Sequence, residues 1–127
     1  MITHYRKNQR KIAMGLLSFH KYLKEEHPRL KEIEHYEEGE PYQLYCYYYD
    51  EATNNVQGVL GIEQLNNQEI ILHDISLNPS YRGEGLGFVM LDQLQEHFPE
   101  YHIIGTTATA AYLAKWKRKT GNLDGTN

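Results

Sequence analysis

Between residues 83 and 87 the chain sets glycine at every second position, Gly83-Glu84-Gly85-Leu86-Gly87. The apolar segment Gln68–Leu77, with Ile70-Ile71-Leu72 inside it, runs up to this stretch. Beyond it, Leu86, Val89, Met90, Leu91, Leu94 and Phe98 recur at helical spacing, which predicts a helix from about Gly85 to His97. A strand that turns through alternating glycines straight into a helix narrows the possible folds more than any other feature. Glycine lets the backbone turn tightly and lets a ligand approach without a Cβ in the way. The first N–H groups of the helix lack internal partners and point outward, and the helix dipole adds positive character there. Such a terminus suits a phosphate, and Arg82 stands beside it to add a charged hydrogen bond.

The two strict nucleotide signatures are not met. A dinucleotide fingerprint needs a final glycine where Phe88 stands, and a P-loop needs a Gly-Lys-Ser/Thr ending that is missing. By itself the Gly-x-Gly pattern is also compatible with a turn that binds nothing. Acidic residues outnumber basic ones by 17 to 13, which speaks against a general nucleic-acid binder. Cys46 is the single cysteine, so no internal disulfide forms, as suits a reducing compartment. Arg6, Lys7, Arg10 and Lys11 precede the apolar run Ile12–Phe19, but no small-residue cleavage site follows. No segment reaches the roughly 20 apolar residues that span a bilayer. The expectation is a cytoplasmic protein with no membrane association, as a monomer or a homodimer.

Ile2–Arg6 predicts a short first strand. Ile12, Leu16, Phe19 and Leu23 predict one buried helix face from about Gln9. Pro28 interrupts that pattern, and Arg29–Glu38 reads as a second, polar helix stopped by Gly39 and Pro41. Tyr42–Tyr49, Val56–Leu65 and Gln68–Leu77, joined by short polar turns, predict an antiparallel meander. Five tyrosines fall between Tyr42 and Tyr49; they fit a half-buried strand, and some of their rings also fit the wall of an acceptor pocket. A strand over Tyr101–Gly105, a last helix over Thr109–Lys119 and a frayed tail over 120–127 complete the chain. The sum is one domain, residues 1–127, of the α/β class with a mixed α+β sheet. Its central, mostly antiparallel sheet is flanked by about four helices.

The motif has a family likeness. Leu77-x-Pro79-x-x-Arg82-Gly83-x-Gly85-Leu86-Gly87 resembles the Arg/Gln-x-x-Gly-x-Gly/Ala motif of the GCN5-related N-acetyltransferases, abbreviated GNAT. The order of elements from residue 2 to residue 119 follows that family's topology. A narrower likeness, carried by Lys11–Phe19 and Ile75–Ser80, is to the small RibT-type acetyltransferase-like proteins of riboflavin operons. The family resemblance implies acetyl-coenzyme A (acetyl-CoA) as cosubstrate, no metal, and direct transfer of acetyl to a primary amine of a small molecule or protein in a ternary complex. It implies that the Ile75-Ser76-Leu77 segment bonds the pantetheine arm through the backbone of Ile75 and Leu77, with the Leu77 side chain walling the thioester channel. It also implies that Arg82-Gly83-Glu84-Gly85-Leu86-Gly87-Phe88 cradles the pyrophosphate, chiefly through N–H groups.

Acetyl transfer to an amine needs a proton acceptor for the nucleophile and stabilisation of the departing thiolate. His73, on the strand before the glycine turn, is the first candidate base because imidazole titrates in the useful range. Glu69 and Glu63 are alternatives. A local bonding role for His73 and Asp74 on the sheet faces fits the same residues equally well. The family's thiolate-protonating tyrosine falls at Trp116 or Lys117, depending on register, and neither is tyrosine. Tyr112, one helical turn earlier, is the available substitute. The asparagine common earlier in that helix is also missing, with Thr109 or Ala110 near its place. Lys115, Lys117, Arg118 and Lys119 complement the helix C-terminus, or else meet an adenosine 3′-phosphate. Few residues follow Lys119, so a C-terminally truncated version of the family's acceptor site is expected. Two functions remain: an N-acetyltransferase, and a coenzyme-A-binding protein with weak or no transfer and a regulatory role.

Overall fold

The computed structural model describes residues 1–19, 25–48, 55–81 and 85–119. Leu23, Tyr49, the tail 120–127 and three residues of the predicted cradle, Arg82, Gly83 and Glu84, lie outside the described residues. Among the described residues five strands form one sheet: β1 (Ile2–His4), β2 (Tyr42–Tyr48), β3 (Val56–Gln64), β4 (Glu69–Leu77) and β5 (His102–Gly105). They lie in chain order across the sheet, the first four antiparallel and β5 parallel to β4. A parallel neighbour needs a crossover, and helix α3 (Leu86–His97) provides it. Helices α1 (Arg10–Leu17), α2 (Glu26–Glu37) and α4 (Ala110–Lys119) complete the expected mixed sheet with four helices.

The two faces of the sheet carry separate cores. Under α3 and α4, Tyr45, Leu60, Ile62, Ile70 and Leu72 pack on Met90, Leu91, Leu94, Leu113 and Trp116. Under α1 and α2, Leu44, Cys46, Tyr48 and Val59 pack on Ala13, Leu16, Leu17, Ile33 and Tyr36. The tyrosines of β2 are therefore split between the cores rather than gathered in one pocket, and Tyr42 has its ring beside that of His73.

Both α1 and α2 depart from their predicted form. The buried face of α1 is Ala13, Leu16 and Leu17, while Ile12 and Phe19 are 43% and 46% exposed. The helix ends at Leu17, so Phe19 no longer belongs to the stripe, and the side facing the sheet is rotated one residue from Ile12. In α2, Pro28 sits in the first turn instead of breaking the helix. A proline is tolerated there because the first N–H groups have no helical acceptor.

Two irregularities in β4 set the shape of the molecule around its C-terminal half. Gly61 of β3 pairs with Asp74, but the next residue, Ile62, pairs with Leu72, so His73 is an extra residue on β4. Such a bulge reverses which face the side chains take. Ile70 and Leu72 point into the α3/α4 core before it, as Ile75 and Leu77 do after it. Asp74 and Ser76 instead face α2 and α1, where they meet Tyr36 and the carbonyl of Leu16. The second irregularity is that β5 stops pairing at Leu72↔Gly105 while β4 runs on to Leu77. The buried Thr109 hydroxyl donates to the Leu72 carbonyl at 2.8 Å and closes the ladder with a side chain instead of another strand residue. The same oxygen accepts the Thr106 N–H at 3.0 Å. Thr109→Val, nearly isosteric, strands both backbone groups, and we expect a loss of about 1–3 kcal/mol. Urea unfolding checks this as a lower midpoint with an unchanged slope.

Candidate active site

Past the last β4–β5 pair the free edge of β4 borders a cavity of about 650 Å³. Its lining includes Ile75, Ser76 and Leu77 of β4, Gly85 through Phe88 at the start of α3, and Tyr112 and Lys119 of α4, with Phe19 from beyond α1. Seven of the ten cofactor residues expected from the sequence are thus brought together; Arg82, Gly83 and Glu84 are the three outside the described residues.

The backbone along this edge has a definite polarity. In an antiparallel pair, opposed residues alternate between exchanging hydrogen bonds and turning their polar groups outward. The Asn78 N–H bonds the Gln57 carbonyl at 2.8 Å, which makes 57/78 a bonded pair. Val59↔Ser76 then bonds likewise, whereas Leu60↔Ile75 and Gly58↔Leu77 do not. The N–H and C=O groups of Ile75 and Leu77 therefore face away from β3, towards the cavity.

At the other end of the cavity, Gly85 is the N-cap of α3 with φ of 77°, a left-handed conformation that favours glycine, and as glycine it brings no capping side chain of its own. The first N–H groups of α3 are left as donors. Gly87 has a further reason for being glycine, one the sequence does not suggest. A Cβ there would overlap the Tyr112 hydroxyl, which occupies the space beside α3's first turn. Tyr112 also packs its ring 5.1 Å from that of Phe88, and burial raises its pKa, so the hydroxyl keeps its proton. Lys119 holds its ammonium 5.7 Å from the Phe88 ring centre and is a cation at the cleft.

The residues at the family's usual tyrosine slot point elsewhere. Trp116 is buried in the α3/α4 core and donates its indole N–H to Asp92 at 2.9 Å. Lys117 donates to the Ile103 carbonyl at 2.9 Å, and its pKa is lowered by burial. Cys46 is buried beside Gln9, and burial pushes its thiol up to about 12, which leaves it inert as an acyl carrier.

The candidate bases separate. Glu69 starts β4, where it accepts a hydrogen bond from Asn67 at 2.7 Å. It lies six residues from Ile75, on the order of 20 Å along the strand, and is not brought to the cleft. His73 and Glu63 do meet, Nε2 to Oε1 at 2.9 Å, on the α1/α2 face. Tyr42 lies 5.9 Å from His73 and 4.5 Å from His35, measured between ring centres. Beside them stands a group that no sequence pattern flagged. Tyr36 of α2 donates its hydroxyl to Asp74 at 2.5 Å, Asp74 is 2% exposed, and Glu32, one helical turn before Tyr36, shares a hydrogen bond with Asp74. Burial, and then the bond and charge of Asp74, push Glu32 up to about 8 against the opposing influence of His73 and His35. Sequence reading missed Glu32 because it looks like one more solvated glutamate on a polar helix; its spacing of four from Tyr36 was the only local signal. Among the described residues, no three His, Cys, Asp or Glu side chains are grouped to hold a metal, and no helix is long and apolar enough to cross a membrane.

The chain has clear relatives. Residues 15–115 match the sequence model of the Acetyltransferase (GNAT) family. An uncharacterized N-acetyltransferase in the lysA 3′ region of Bacillus methanolicus is 35% identical over 115 residues, covering 91% of this chain and 93% of that one. The IAA acetyltransferase of Bacillus cereus ATCC 14579 superposes with a TM-score of 0.65 at 18% identity, over 95% of this chain and 75% of that one. A GNAT family acetyltransferase from Elizabethkingia anophelis, with acetyl-CoA bound, gives a TM-score of 0.66 at 16% identity, over 95% and 74% of the two chains. At such identities the two structures establish the fold alone.

Two outcomes are expected from this geometry. Glu32 binds its proton more tightly folded than unfolded, so its contribution to stability is complete below about pH 4.5 and is lost as pH rises through about 8. The melting temperature of the native protein should fall across that window relative to Glu32→Gln, and parallel curves would show an ordinary surface carboxylate. Gly87→Ala should destabilise by about 1–3 kcal/mol through the forced overlap, and Tyr112→Phe in the same chain should recover part of the loss in a double-mutant cycle.

Proposed function

The chain belongs to the GNAT family of acetyltransferases, and on that footing we propose that the cleft between β4 and α3 binds acetyl-CoA and presents its thioester to a primary amine. The observation that carries this reading is the open edge of β4. Beyond Leu72↔Gly105 the backbone groups of Ile75 and Leu77 face a cavity that continues to the start of α3. A pantetheine arm fits such an edge as an added strand does, amide against amide. The pyrophosphate then falls at the N–H groups of Gly85, Leu86 and Gly87, with Arg82, Gly83 and Glu84 assigned to the same cradle by the family motif. Phe19, Leu77 and Phe88 supply apolar walls, and Lys119 an extra positive charge for the nucleotide end.

In the transfer the neutral amine nitrogen attacks the thioester carbonyl, the C–N bond forms, the nitrogen releases a proton to solvent, the C–S bond breaks, and coenzyme A leaves as thiolate. Tyr112 is our assignment for the proton that quenches the thiolate, since Trp116 and Lys117 are committed elsewhere. That commitment also favours a second reading, a coenzyme-A-binding protein that transfers slowly. The likeness of Lys11–Phe19 and Ile75–Ser80 to RibT-type proteins makes an amine of riboflavin metabolism the first acceptor to try.

Calorimetric titration with acetyl-CoA tests the reading. Micromolar binding is expected, weakened at least about tenfold in Gly85→Trp, whose side chain enters the cleft, with the fold confirmed by circular dichroism. No binding by the native protein would overturn the reading. Binding without acetylation of any amine would select the second one.

A further inference from the structure

Resting on that reading of the cleft, we propose that its acceptor is a primary amine on a flat aromatic body with no second positive charge, and that this body packs against Phe19. The cofactor takes up the β4 edge, through the backbone of Ile75 and Leu77, and the start of α3. The α3/α4 layer adds Phe88 and Tyr112, ring to ring at 5.1 Å, with the Lys119 ammonium over Phe88. Phe19 comes from the other layer. It follows α1, which packs with α2 on the opposite face of the sheet. Among the described lining residues it is the only one outside β4 and the α3/α4 layer.

Phe19 is both exposed and held. At 46% exposure it is a large apolar surface on the cleft, and a ligand that covers it removes that surface from water. Its N–H bonds the Leu16 carbonyl at 3.2 Å, and the same carbonyl accepts the buried Ser76 hydroxyl at 2.5 Å. The last carbonyls of a helix have no partner within it. Here the Ser18 hydroxyl takes that of Gly15, and Ser76 takes that of Leu16. The end of α1 is thereby pinned to the residue between Ile75 and Leu77, which sets Phe19 relative to the cofactor strand.

Charge narrows the class of acceptor. Among the described lining residues the charged one is Lys119, a cation. On β3 and β4, Glu63 holds His73 at 2.9 Å and Asp74 accepts the Tyr36 hydroxyl at 2.5 Å, so both carboxylates are engaged away from the cleft lining. A second ammonium on the acceptor meets no carboxylate among these lining residues, and taking it out of water unpaired is costly. A single amine on an apolar body fares better. Apolar surroundings disfavour the charged form of an amine and lower its pKa, so the nitrogen comes to the thioester neutral, as attack requires. A flat ring gains more on Phe19 than a saturated one of equal size, since aromatic pairs add to the area they bury.

The test uses the native chain with acetyl-CoA and four amines: 2-phenylethylamine, 2-cyclohexylethylamine, spermidine and kanamycin. We expect kcat/KM for phenylethylamine to exceed that for its saturated analogue about threefold or more, and those for the two polycations about tenfold or more. Phe19→Ala should raise the phenylethylamine KM about tenfold, with kcat and the acetyl-CoA Kd each within about threefold of native. Phe19→Leu should abolish the preference for the flat ring, and Phe19→Tyr should keep it. Ser76→Ala, which frees the end of α1, should raise the same KM about threefold with little change in kcat, and Ser76→Thr should restore it. The proposal is overturned by a polycation used as well as phenylethylamine, or by an amine KM that Phe19→Ala leaves unchanged. It is overturned equally if Phe19→Ala weakens acetyl-CoA as much as the amine, or if no amine turns over while acetyl-CoA still binds. Failure of the native protein to bind acetyl-CoA would instead remove the cofactor reading, and this proposal with it.

Discussion

The end of the β4–β5 ladder at Leu72↔Gly105 is the constraint on which the rest of the site depends. A strand edge with unpaired N–H and C=O groups is costly when buried, and proteins normally cover it. Here the Thr109 hydroxyl closes the last rung, and the edge beyond it lies against a cavity. Every other feature of the cleft is arranged about that opening. Helix α3 brings its start to one end, α4 lays Tyr112 and Lys119 along the side, and the Ser76 hydroxyl bonds the Leu16 carbonyl at 2.5 Å, which fixes the end of α1 close to Phe19.

The bulge at His73 divides labour between the two faces of one strand. On the α3/α4 side β4 offers backbone and the apolar side chains of Ile75 and Leu77, which suit a long, flexible cofactor arm. On the α1/α2 side it offers Asp74, set among Tyr36 and Glu32. Without the extra residue, Asp74 would continue the Ile70–Leu72 face into an apolar core. There an isolated carboxylate carries a desolvation cost of several kcal/mol. One inserted residue thus puts the charge where a hydroxyl and a second carboxyl meet it, and puts the greasy residues where the cofactor runs.

Much of this architecture was legible in the residues. The meander was marked by apolar runs separated by polar turns, the α3 crossover by the Leu86–Leu94 spacing, and the family by the motif from Leu77 to Gly87. Local signals failed where geometry decided. Phe19 reads as core by spacing but falls beyond the end of α1 and onto the cleft. Pro28 reads as a breaker but is a first-turn residue. Gly87 reads as room for a ligand, and no local signal shows that it also makes room for Tyr112.

The sequence by itself determined the element order, the sheet with its four helices, and the glycine turn that opens α3, because each rests on local periodicity or on a single residue's backbone freedom. Only the tertiary structure decided which acidic group meets which. Glu32 and Asp74 stand 42 positions apart and become partners through the docking of α2 on the bulged strand. Likewise Glu69 and Ile75 share β4, yet only Ile75 lines the cleft, since a strand's length separates what a short stretch of sequence holds together.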